Sequence, residues 1–220
     1  MNKTWQVAKY LIFDFFAAAI SWTLFFIYRK AVIEPQFFGI DVPIEFTQRF
    51  YIGLIVIPVS WITGYYITGF YKNIYRRSRL LELGQTFITS LTGVILLFFT
   101  LILDDFIGSY KNYYQLFFTL FGLHFGLTYF FRLILTTRTT HRIHKRKIGF
   151  NTLIIGSNEN AVKVYEDMTN QLRPAGNKFV GFVSVENNND ELLSKWIPKL
   201  GGVRDLSAIL QNQDIEEVII

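Results

Sequence analysis

The sequence predicts an α-helical membrane bundle of four transmembrane helices, followed by an incomplete α/β domain built on a parallel sheet. Three observations carry this. Four mostly apolar stretches of about 20 residues precede Thr136, and that is the length a helix needs to cross roughly 30 Å of hydrocarbon. Lysine and arginine crowd into alternate connections between those stretches. From Phe150 onward, short apolar runs alternate with polar, helix-like segments, the pattern of a sheet with crossover helices. Composition agrees, with 51% apolar and 18% aromatic residues and a mean hydropathy of +0.28, rich for a soluble protein. The chain has no cysteine, which excludes a disulfide framework, a thiolate metal site and a thiol nucleophile.

The expected spans run over Ala8–Tyr28, Phe50–Phe70, Gly84–Leu103 and Tyr113–Leu135. Trp5, Tyr28, Tyr51, Tyr71, Tyr110 and Tyr113 stand at their edges, where amphipathic rings favour the headgroup layer. The domain division that follows is a membrane region at residues 1–137, a basic linker at 138–149 and an α/β domain at 150–220. Lys3 and Lys9 before an apolar run reaching Ala17–Ala19 have the outline of a secretory signal. Asp14 interrupts that core and the run continues to Tyr28, so the reading is an uncleaved anchor.

Lys3 and Lys9 lead the first span, Lys72, Arg76, Arg77 and Arg79 fill the second connection, and Arg138, Arg142, Lys145, Arg146 and Lys147 follow the fourth span. The other connections balance Arg29, Lys30 and Arg49 against Glu34, Asp41 and Glu45, and set Lys111 against Asp104 and Asp105. The positive-inside rule places both termini in the cytoplasm. The two basic clusters suit anionic lipid headgroups or a phosphorylated lipid, at about 1 kcal/mol per side chain near an acidic leaflet. Orientation alone would produce the same pattern. The charge is explained by the bilayer, and nucleic acid is not an expected partner.

Polar residues inside the spans are few. Asp14 and Arg132 fall at similar depth, and a carboxylate in hydrocarbon requires a partner, so the two are expected to pair and set the packing of the first helix on the fourth. One acid and His124 make a poor proton relay. Gly122 and Gly126, four apart, suggest a close helix contact. Asp104 and Asp105 read as a solvated loop, and His141 and His144, with no carboxylate nearby, as part of a basic helix end rather than a metal pair.

In the last segment "NTLIIG" reads as a buried parallel strand, "NAVKVYEDMTNQL" as a helix, "KFVGFVSVE" as a second strand, "NDELLSKW" and "DLSAILQN" as helices, and "EEVII" as a third strand. Gly201 and Gly202 read as a turn. This is a Rossmann-like series, and its first turn can be compared with the dinucleotide fingerprint of three small residues. Gly156 supplies the first glycine, Asn158 stands at the second, and Ala161 is an allowed third. Gly156, Ser157 and Asn158 with Glu186, an acid near the end of the second strand, are the candidate nucleotide contacts. A side chain at Asn158 stands where a pyrophosphate would approach, so a structural or regulatory module is the other reading. The sheet is expected to continue in a partner or in a longer chain, because "EEVII" would otherwise leave an apolar edge.

The connection "GFYKNIYRRSRLLELGQTF", the entry "THRIHKRKIGFNTLIIGSNENA" and the segment "PKLGGVRDLSAILQNQDIEEVII" resemble the N-terminal half of bacterial polyprenyl-phosphate sugar-1-phosphate transferases. The resemblance covers essentially the whole chain. It implies a multi-pass protein of the bacterial inner membrane that anchors and regulates transfer of a sugar phosphate from a UDP-sugar to undecaprenyl phosphate, in exopolysaccharide or O-antigen synthesis. The expected partners are the lipid bilayer, with polyprenyl phosphate or anionic lipid headgroups, and a second copy of the chain in a homo-oligomer is a further candidate partner. In that family the catalytic residues and the Mg²⁺ lie in a later domain, so neither a catalytic residue nor a cofactor is expected here beyond a nucleotide in the Rossmann-like segment. Asp190 and Glu191 in "NNNDELL" read as a helix start rather than the family's acidic dyad. A second family with this layout is the membrane-bound nucleotide-sugar dehydratases and epimerases, and a stand-alone nucleotide sensor is a third reading.

Overall fold

The computed structural model describes residues 3–40, 42–72, 74–75, 77–102, 110–172, 174–185 and 192–220. The chain forms two compact units, Met1–Arg138 and Thr139–Ile220.

The first unit is helical. Helix α1 (Lys3–Tyr28) continues through a π turn at Arg29–Ile33 into α2 (Glu34–Phe38), followed by α3 (Gln48–Ile67) and α4 (Arg79–Leu97), which also ends in a π turn, Phe98–Ile102. Helix α5 (Tyr110–His144) starts in this unit and runs past the expected span end. Four helical stretches, Thr4–Gln36, Gln48–Ile67, Arg79–Thr100 and Tyr110–His144, are long and apolar enough to cross a membrane. The extension of the first beyond Tyr28 has a local cause. Glu34 reaches back one turn to Lys30 at 2.7 Å and to Arg29 at 3.4 Å, pairs that favour helix over loop. Helix α4 is started by Ser78, whose Oγ accepts from the Leu81 amide at 3.2 Å.

Close approach between helices is made by glycines other than those the spacing suggested. A Cβ at Gly53 would stand 2.7 Å from the Trp22 ring, and one at Gly93 would overlap Trp61. Gly122 and Gly126 are exposed and face open space. The two tryptophans fill the volume those missing side chains leave, which lets a large ring lie flat against backbone.

The second unit is a small α/β domain. Its strands β1 (Phe150–Ile155), β2 (Asn177–Ser184), β3 (Lys199–Gly202) and β4 (Glu217–Ile219) are all parallel, in the order β3-β2-β1-β4. Alternate residues of β1 feed opposite faces. Ile154 packs with Ala161 of helix α6 (Glu159–Thr169), Phe182, Leu193 and Ile197, while Leu153 packs with Val183 and Ile209 of helix α7 (Leu206–Asn212). Both faces are thus covered, as a parallel sheet requires.

Two local expectations change. The segment expected as a turn at Gly201 and Gly202 is β3, held in register by Phe182 opposite Lys199 and Val183 opposite Gly201. Gly181 of β2 makes this pairing possible, since a Cβ there would stand 2.5 Å from Leu200 and 2.7 Å from the Pro198 carbonyl. Of the segment expected as a helix from Asn189 to Trp196, the described part, from Leu192 onward, holds a 3₁₀ turn, Leu192–Lys195. Asp104, Asp105, Asp190 and Glu191 lie outside the described residues.

Candidate functional site

The α/β unit gathers its cleft at one end of the sheet. Strand β1 is a buried run of β-formers, and it stops where Gly156 adopts φ +129°, a conformation that side-chain-bearing residues rarely take. The Gly156 amide donates to the Val183 carbonyl at 2.8 Å, tying the turn to β2. Ser157 and Asn158 follow, and helix α6 begins at Glu159.

Topology puts this turn at a special place. From β1 the chain crosses to β2 and onward to β3, then returns through α7 to β4 on the other side of β1. The direction of winding therefore reverses between β1 and β4, and in open parallel sheets ligands bind outside the strand ends at such a switch point. A cavity of about 410 Å³ lies there, walled by Gly156, Ser157, Asn158, Asn160, Val185 and Ile219 among others. Three of the four sequence-predicted residues, Gly156, Ser157 and Asn158, line it. The fourth, Glu186, lies outside the described residues.

The geometry of Asn158 is specific. Its Oδ1 accepts from the Ala161 amide at 3.0 Å, so the side chain caps α6. An asparagine is a favoured N-cap because its carbonyl oxygen satisfies an amide that the helix itself leaves without a partner. Among the described residues that line the cavity none carries positive charge, and Glu159 opens the helix.

A second polar constellation lies inside the helical unit. Arg132, wholly buried, donates from Nε to Oδ1 of Asp14 and from Nη2 to Oδ2, both at 2.8 Å, and from Nη1 to Thr86 Oγ1 at 2.9 Å. The expected pair is thus present, and in the fork geometry that favours arginine over lysine. Tyr71 donates to the same Asp14 Oδ2 at 2.8 Å. Burial, with the Asp14 carboxylate adding to it, pushes the Tyr71 phenol above its ordinary pKa. The Arg132 guanidinium also lies over the rings of Phe70 at 3.6 Å and Tyr65 at 4.0 Å, contacts that replace water around a buried cation. Arg77 lies over Phe70 at 4.0 Å, and burial lowers its pKa.

One turn from the Arg132 rung, Thr136 donates to Glu82 Oε2 at 2.6 Å and Tyr10 bonds Thr136 at 2.9 Å. In the other direction, His124 Nε2 meets the Tyr65 hydroxyl at 2.8 Å and its ring stacks on Trp61 at 3.6 Å. Glu82, Tyr71, Thr86 and Tyr65 were missed as partners by the sequence reading. A signal was available. Glu82, Thr86 and Ser90 on α4, and His124, Thr128, Arg132 and Thr136 on α5, recur every four residues inside apolar helices and are all buried, so each set marks one inward stripe.

No curated protein matches this sequence. The model of a family described as a CoA-binding domain matches residues 62–220, which takes in part of α3, the whole of α4 and α5, and the complete α/β unit. With most of its length inside that match, the chain belongs to the CoA-binding domain family.

Proposed function

We propose that the chain is the membrane anchor and regulatory module of an enzyme system that transfers a sugar phosphate from a UDP-sugar to a polyprenyl phosphate in bacterial polysaccharide synthesis. In this reading the four apolar helices cross the inner membrane with both termini in the cytoplasm, and the α/β unit responds to a ligand of nucleoside or nucleotide type. The transfer chemistry belongs to another domain or protein. The observation that carries the reading is that one family model runs unbroken through apolar helices and a Rossmann-like unit, so a cleft of the nucleotide-binding type is joined in one module to helices of membrane length. The exposed Lys72, Arg79, Arg138 and Arg142 near helix ends add a charge pattern suited to an anionic leaflet or a lipid phosphate.

The test is made in the cell of origin. Membranes from cells with and without this chain, given a radiolabelled UDP-sugar, should differ in the label extracted with lipid, and restoring the chain should restore incorporation. Equal incorporation sinks the proposal.

A further inference from the structure

The family's description implies CoA, a ligand whose diphosphate would seek the amides at the start of α6, since that is where this fold receives diphosphates. The residues present do not fit that group. The seat is taken by Asn158, whose Oδ1 holds the Ala161 amide at 3.0 Å. The helix opens on Glu159, and no described residue lining the cavity supplies a cation. A diphosphate brought to this turn would have to compete with the Asn158 cap for the Ala161 amide and would find no counter-charge among the described lining residues. The rest of the cavity is different in character. Ile155, Val164, Val185 and Ile219 form apolar walls, Ser157 and Asn160 are polar, and the volume of about 410 Å³ lies toward the small end of ligand sites, which span roughly 300–1,000 Å³.

We infer that the cavity at the β1–β4 switch point takes an uncharged nucleoside, and that Asn158 is the residue that sets this specificity by standing in for the ligand's diphosphate. Apolar walls suit the faces of a base, Ser157 and Asn160 offer hydrogen bonds to its edge or to ribose hydroxyls, and the helix, with its Ala161 amide already taken by Asn158, offers a phosphate one donor fewer. The inference rests on the reading of the α/β unit as a ligand-responsive module, and adds the class of ligand to which it responds.

The experiment is calorimetric titration of the full chain in detergent with adenosine, uridine, ADP, UDP and CoA, on wild type, Asn158→Gly and Asn158→Asp. A nucleoside should bind wild type about tenfold or more tighter than its own diphosphate, a factor within reach of a helix-terminus charge effect. Asn158→Gly, which restores the residue of the fingerprint and is itself a tolerated cap, should narrow or reverse that ratio. Asn158→Asp keeps the cap and adds a negative charge, so it should widen the ratio. Melting of each variant without ligand confirms that it is folded. The inference is overturned if a diphosphate or CoA binds wild type more tightly than the nucleosides, if no nucleoside binds at millimolar concentration, or if the ratio is the same in all three proteins. Unchanged lipid labelling in the membrane assay would remove the sugar-transfer reading and leave these ratios as they are, so the two failures are distinguishable.

Discussion

Arg132 and Asp14, 118 residues apart, meet in the helical unit through two parallel hydrogen bonds of 2.8 Å, with both side chains at most 1% exposed. The pair joins α5 to α1. Removing one partner leaves an uncompensated charge, which costs about 3–5 kcal/mol, whereas replacing both with apolar residues of similar volume costs far less. Asp14→Leu and Arg132→Met should therefore each destabilise the protein by that amount in detergent unfolding. The double variant should lose much less than the sum of the two single losses. Strict additivity would mean that the contact contributes no coupling.

Glycine position, rather than glycine spacing, should decide the response to alanine. Gly93→Ala forces a Cβ into the Trp61 ring, and overpacking of this kind costs about 1–3 kcal/mol. Gly122→Ala and Gly126→Ala meet nothing within 4 Å and should be neutral or stabilising, because alanine is the better helix former. Melting temperatures of the three variants check the order.

In the α/β unit Gly181 is the glycine whose added Cβ would press on the neighbouring strand's entry, at Leu200 and the Pro198 carbonyl. Alanine there must push Leu200 and the Pro198 carbonyl away, so β3 should detach from β2 while the β1–β2 and β1–β4 pairs persist. Hydrogen exchange should show this as faster exchange at the amide of Phe182, which donates to Pro198 O at 3.0 Å in the wild type. Unchanged protection there would mean that the edge strand can shift without loss.

Because the chain lacks cysteine, single introduced thiols report sidedness without background. If both termini are cytoplasmic, as proposed, Lys111→Cys should react with a membrane-impermeant maleimide in intact cells. Lys72→Cys should react only after the cells are opened. The reverse pattern would invert the proposed topology.

Much of this was legible from the residues, and the reasons differ from one feature to another. Asp14 and Arg132 could be paired in advance because apolar helices leave a charge few places to go, and depth along a span is readable by counting. The β1 turn was legible because Gly156, Asn158 and Ala161 hold fixed places in a known pattern. Strand β3 was not, since "KLGG" has the composition of a turn and becomes a strand only by pairing with Phe182–Ser184, a partner no local window contains. Gly122 and Gly126 misled for a related reason. Small residues four apart define a stripe on a helix, but nothing in the stripe says whether a neighbour covers it. The capping role of Asn158 was also hidden, because its residue type shows only that a glycine is absent, not what the side chain does in its place.

The rungs between α4 and α5 have a consequence for assembly. Polar residues repeat every four positions on both helices, so sliding one helix past the other by four residues, about 6 Å, would again set polar against polar. Glu82 would face Arg132, and Thr86 would face Thr128. By itself the two-helix seam is therefore ambiguous, like a zipper that closes equally well one tooth out. The ambiguity is broken from outside the seam, by Asp14 of α1 and by Tyr71, which grip Arg132 at a single height. The register of α5 on α4 is thus keyed by a contact with α1, a helix more than a hundred residues away in sequence.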